Sequence, residues 1–339
     1  MRPWCLALAL LACSAPATLP ELVQAEKAAD RGDVDGAVRA YREAQIGCKN
    51  LRPERRAKQA CSEALLGEAE VQERAGKKDT AIATYLAIPN KTDDPTTAST
   101  ALYRAGSLLL EQHKDVEAWT ALWKVVTDYP DEALAADALE KLVADGRHRD
   151  ARALADQIGK LLTPLAETQV ADNMLWALAD LSEHELANPP GARALYDRIY
   201  TDYPNSGLRD DARWHAARLS RELGDPKGAA QRLRGLLATR EISLGAGSYF
   251  SIWLDDAQLE LGIVLRDSLH DLPGAAAAFR QLPKDYPASI LRDDALYELA
   301  VTLGKTGDTA GRCAAQRELV KVEPDSKYVP RLAELGPCP

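Results

Sequence analysis

The sequence predicts an all-α fold, a right-handed α-solenoid of about eight helix-turn-helix pairs. Three observations predict it. Alanine returns at Ala37, Ala81, Ala118, Ala151, Ala192, Ala229 and Ala275, each five residues after a turn-like position, and Ala310 follows. The turn positions are Gly32, Gly76, His113, Gly146, Ala187, Gly224 and His270. Such a period marks stacked helix pairs, each of which buries its apolar face only against its neighbours. Second, alanine and leucine dominate while aromatics make up only 6%, which favours close helix packing over a sheet. Third, capping residues and prolines fall where the period puts helix ends.

The first pair is expected at 19–31 and 34–47, with Asp33 placed to accept from the backbone of the second helix. Ala37, Tyr41 and Ala44 share one face there; the alanine admits the neighbouring helix and the tyrosine fills the groove beside it. The second pair covers 54–75 and 79–88, with Ala81 and Tyr85 repeating the stripe. The third covers 96–112 and 115–128 and closes at Tyr129-Pro130, because proline cannot continue a helix. The fourth, at 133–145 and 149–162, is shorter.

Later pairs are the most alike. Asp202-Tyr203-Pro204-Asn205-Ser206, running on to Asp210-Asp211-Ala212, is matched 83 residues on by Asp285-Tyr286-Pro287-Ala288-Ser289, running on to Asp293-Asp294-Ala295. The acidic pairs suit the positive end of a helix dipole. Second helices open with Asn188-Pro189-Pro190, Asp225-Pro226 and Asp271-Leu272-Pro273, a cap followed by a first-turn proline. The stretch from Glu241 to Ser251 breaks the rhythm, either as part of a binding face or as a plain connection. Trp119 and Trp123 stand one turn apart, as an aromatic ledge or as core between pairs.

Residues 1–17 read as an export signal, with Arg2 before a short apolar core from Trp4 to Ala12, leaving 18–339 for the solenoid. Two cleavage sites compete. Leu10-Leu11-Ala12-Cys13 resembles a bacterial lipobox, which makes Cys13 a lipidation candidate, and Ala15-Pro16-Ala17 resembles an ordinary secretion site. In the lipoproteins that this lipobox resembles, a residue other than aspartate after the lipidated cysteine, as Ser14 is here, implies sorting to the outer membrane. Export permits disulfides, and Cys48, Cys61, Cys313 and Cys338 form two sequence-local pairs among three possible connectivities. The net charge of −9 speaks against nucleic acid as a partner.

The small–small–aromatic pattern resembles tetratricopeptide repeats (TPR), on Ala37/Tyr41/Ala44, Gly106/Ala118/Leu122/Pro130, Ala192/Tyr196/Pro204, Ala229/Leu233 and Gly262/Ala275/Phe279/Pro287. With the export signal, the Tyr-Pro-x-Ser phrase is similar to bacterial envelope TPR proteins of the barrel-assembly and Tol-Pal-associated types. That resemblance implies a non-catalytic scaffold in the periplasm, held to the outer membrane by a lipid anchor. It would grip envelope proteins or peptides in the groove of its first helices. Tyr103, Trp176, Trp214 and Tyr297 are candidate groove residues.

No cofactor or metal site is expected, since HExxH, GxSxG and GxGxxG are all missing and the five histidines are dispersed. Soluble lytic transglycosylases are similar in their superhelical region, so a helical accessory or substrate-guiding subunit is the alternative, as is a subunit of a secretion or motility complex. Only 327–339 follow the last repeat, too short for a catalytic domain.

Overall fold

A computed structural model of the chain describes residues 19–48, 55–239 and 251–338. The expected signal with Cys13, and nearly all of the Glu241–Ser251 stretch, lie outside them. Among the described residues the secondary structure is helical throughout, with no strand, and within each of two units helices pack on their neighbours in the chain. This is an all-α solenoid. No described helix is long and apolar enough to cross a membrane.

The helices fall into two units. The first holds α1 (Pro20–Asp30), α2 (Val34–Cys48), α3 (Arg55–Arg74), α4 (Lys78–Ala87), α5 (Pro95–Glu111), α6 (Asp115–Asp128) and the start of α7 (Leu134–Leu161). The second holds the rest of α7, then α8 (Ala171–His184), α9 (Pro189–Asp202), α10 (Arg209–Glu222) and α11 (Pro226–Leu237). It continues with α12 (Leu254–Ile263), α13 (Leu272–Asp285), α14 (Arg292–Lys305) and α15 (Thr309–Val322), and ends in a 3₁₀ turn at Val329–Leu335.

Every described pair except the one within α7 turns on one residue in the left-handed region. Gly32, Gly76, Gly224 and Gly307 have φ of 74° to 76°, and His113, Ala187 and His270 hold φ of 49° to 56° without being glycine. The second helix then starts on a cap. Asp33, Asn188, Asp225, Asp271 and Asp308 each accept from the backbone N–H three residues on, at 2.8–3.1 Å.

Four residues past the cap position the chain buries its repeat alanine: Ala37, Ala81, Ala118, Ala192, Ala229 and Ala275. Four further on it buries Tyr41, Tyr85, Leu122, Tyr196, Leu233 or Phe279. The large side chain needs a bare backbone opposite. A Cβ on Gly106 would meet Leu122 Cγ at 2.7 Å, and one on Gly262 would strike the Phe279 ring.

Two expected repeat alanines are corrected. Gly146 stays inside α7, and the chain breaks instead at Asp150 (φ −152°, ψ 84°), which caps Ala153 at 2.9 Å. The equivalent inward residue is therefore Leu154, while Ala151 is only half-buried. In the last pair Ala310 is exposed and Arg312 takes the inward place, 7% exposed. Its guanidinium donates to the carbonyls of Leu335, Gly336 and Pro337, so the final repeat position holds down the chain end.

The four cysteines pair as sequence neighbours, Cys48–Cys61 and Cys313–Cys338, with Cα–Cα distances of 5.6 and 5.5 Å. One staples α2 to α3; the other fastens the C-terminal segment to α15.

Candidate binding surfaces

Of the four groove candidates, three are engaged in joining repeats. Trp214 stacks on Trp253 (centroids 5.2 Å, 10°), and Tyr297 on Tyr328 (4.2 Å, 15°). Tyr297 is 6% exposed, so its ring is covered rather than open. Trp176 meets Tyr196 and His215 edge-on at 5.2 and 5.4 Å. Tyr103 stays half-buried, with the Lys141 ammonium 5.3 Å from its ring centre. Trp123 is core, and Trp119 half-buried beside it on the helix.

The acidic pairs do more than complement the dipole. Ser289 donates to Asp255 at 2.6 Å and Ser326 to Asp293 at 2.7 Å, and Ser251 bonds Asp210 in the same way. The second acid of a pair takes an aromatic donor: Trp253 Nε1 bonds Asp211, and Tyr328 OH bonds Asp294 at 2.6 Å. Ser-x-aromatic thus clamps Asp210-Asp211 and Asp293-Asp294 of the preceding repeat, while at Asp255 the serine bond forms with Leu291 in the aromatic place. Ser251-x-Trp253 and Pro324-Asp325-Ser326-x-Tyr328 are copies of the phrase that the sequence reading passed over, because tyrosine is missing before the proline in one and the proline itself in the other.

A second register joins four pairs of successive first helices through polar side chains, three of them as ion pairs. Three or four residues before the left-handed turn stand Glu73, Glu183, Arg221 and Arg266. Nine or ten before the next turn stand Arg104, His215, Glu260 and Glu298. These meet in order: Glu73 with Arg104 at 3.8 Å, Glu183 with His215 at 3.6 Å, Arg221 with Glu260, and Arg266 with Glu298. The large ring of the second helix lies against the same residue. Tyr85 OH donates to Glu73 at 2.8 Å, Tyr196 faces Glu183, and the Arg266 guanidinium lies 5.6 Å from the Phe279 ring centre. Burial and Glu73 or Glu183 push both tyrosine hydroxyls well above the phenol value. Burial also lowers His215's proton affinity, although Glu183 pulls the other way.

The first interface lacks this pair. Three residues before Gly32 stands Ala29, and nine before Gly76 stands Gly67. Where those four interfaces hold polar partners, α1 and α3 leave a cavity of about 500 Å³. Glu26, Asp30, Glu63 and Glu70 line it with Arg74, and Tyr41 forms its floor. Burial, with the Glu26 carboxylate beside it, raises Glu63 above the usual carboxylate range. A second hollow, about 1060 Å³, opens beside the Cys48–Cys61 bridge. Its buried carboxylate, Glu68, is already held by Arg42 and Gln45 at 2.8 Å each. No group of three or more His, Cys, Asp or Glu among the described residues is arranged to hold a metal ion.

No protein-family model matches the chain, and no curated protein does. Among solved structures it is similar to the C-terminal part of a TPR repeat-containing protein from Cytophaga hutchinsonii. The identity is 14% over 80% of this chain and 98% of that one, with a TM-score of 0.46. It is similar also to YrrB, a TPR protein with an unusual peptide-binding site (14%, 63% and 98%, TM-score 0.43). A third is PilW, a widely conserved type IV pilus biogenesis factor (14%, 80% and 98%, TM-score 0.37).

Proposed function

We propose that the chain is a non-catalytic scaffold of the bacterial cell envelope, binding proteins or peptides on its first-helix faces. The observation that carries the binding reading is the interface between α1 and α3, which opens as a cavity lined by four carboxylates. The envelope reading is supported by the pairing of all four downstream cysteines and by the leader-like first 17 residues. Lipidation of Cys13 would hold the protein at the outer membrane, facing the periplasm.

Cell fractionation tests the location. The native chain is expected with the membranes and Cys13→Ala in the soluble periplasmic fraction; a cytoplasmic, fully reduced chain would contradict it. Peptidoglycan turnover by the purified chain would contradict the scaffold reading and favour kinship with the lytic transglycosylase superhelix.

A further inference from the structure

The cavity between α1 and α3 is defined by what its repeat lacks. In two other interfaces the second-helix tyrosine lies against a first-helix glutamate, Tyr85 against Glu73 and Tyr196 against Glu183. Tyr41 occupies the same position, 4% exposed, and its would-be partner is Ala29. Its hydroxyl has no hydrogen-bond partner among the described residues and lines the cavity floor. Gly67 lets it sit there, because a Cβ at that position would collide with the Tyr41 ring. The hydroxyl is not sealed off but opens on the cavity, where a ligand atom can reach it.

Charge selects the ligand. Glu26, Asp30, Glu63 and Glu70 surround the hydroxyl, against the single cation Arg74. None of the four carboxylates makes an ion pair with a basic side chain among the described residues, whereas Glu68, Glu73, Glu183, Glu260 and Glu298 all do. A ligand carboxylate would satisfy Tyr41 but meet this repulsion; an ammonium would meet attraction and could donate to the phenol oxygen. The carboxylates are not grouped to chelate a metal.

We propose that this cavity receives a lysine side chain of a partner polypeptide, with Glu63 and Glu70 flanking its ammonium and the Tyr41 hydroxyl accepting from it. The proposal rests on the scaffold reading and supplies one partner chemistry for it.

The test uses the purified, disulfide-intact chain. Binding of a fluorescent lysine-containing peptide is compared with its glutamine counterpart and with spermidine. The lysine peptide is expected to bind, more weakly at high salt. Glu63→Gln/Glu70→Gln is expected to lower its affinity roughly tenfold, as loss of two part-exposed ion pairs implies, with Tm unchanged or raised by relief of repulsion. Ala29→Gln, which gives Tyr41 a neutral partner of the kind Glu73 gives Tyr85, is expected to raise Tm and abolish binding. Absence of lysine-peptide binding, equal binding of the glutamine peptide, spermidine binding as tightly, or unchanged affinity in both variants overturns the proposal. None of these outcomes touches the scaffold reading, which the peptidoglycan assay tests separately.

Discussion

Single residues in this chain are read best through what their neighbours need. Gly262 and Gly159 both lie in helices, yet a methyl group at Gly262 would strike the Phe279 ring while one at Gly159 would meet nothing within 4 Å. Helix propensity alone favours alanine at both. Packing reverses the sign at one: Gly262→Ala should lose about 1–3 kcal/mol by overpacking, and Gly159→Ala should gain up to about 1 kcal/mol. Urea unfolding of the two variants checks both signs. His215 gives a pH dependence. It is half-buried against Trp176 and Tyr196, with Glu183, Arg218 and Asp211 as its charged neighbours. Its folded-state proton affinity is below the unfolded value, so its neutral form is favoured in the fold. Stability should be full above about pH 6.5 and decline as pH falls below it. His215→Gln should flatten that decline in pH-dependent thermal melts.

At the scale of the element, the helix pairs were legible because their punctuation is local. Gly32, Gly76 and Gly224 announce left-handed turns, and Asp33, Asn188, Asp225 and Asp271 announce caps. His113, Ala187 and His270 were legible mainly through the period, since a non-glycine residue seldom takes φ > 0. The fourth pair misled: Gly146 looks like a turn, but the helix runs on to Asp150, whose carboxylate caps the next turn. The stacking partners of the groove aromatics were not legible, since placing Trp214 or Tyr297 on a first helix does not show that Trp253 or Tyr328 will lie on it. That clamp depends on contacts across 34 to 42 residues of chain, which periodicity does not display. The capping account predicts that Asn188→Ala, which removes the bond to Gly191 N, costs about 1 kcal/mol, measured by chemical unfolding.

For the whole molecule, four interfaces place polar side chains at one repeat position, as ion pairs at Glu73–Arg104, Arg221–Glu260 and Arg266–Glu298 and as Glu183 against His215, while Leu110 holds the equivalent place before His113. The open place at Ala29 and Gly67 could have been found in the sequence by aligning residues on the turn positions, because small residues stand there against charged ones. The far end is closed differently. Cys313–Cys338, Arg312 and Tyr328 together fasten the C-terminal segment over Tyr297. Cys313→Ser/Cys338→Ser should therefore lose on the order of 3 kcal/mol and bare Tyr297 to aqueous iodination, read by mass spectrometry.

The central claim is that partners are gripped on the first-helix face. Photo-crosslinking in living cells tests it most directly, with a photoreactive residue placed at Glu63 on α3 or at Glu117 on α6. The account predicts a discrete adduct from Glu63 and none from Glu117. Adducts from Glu117 alone, or from neither position, would contradict it.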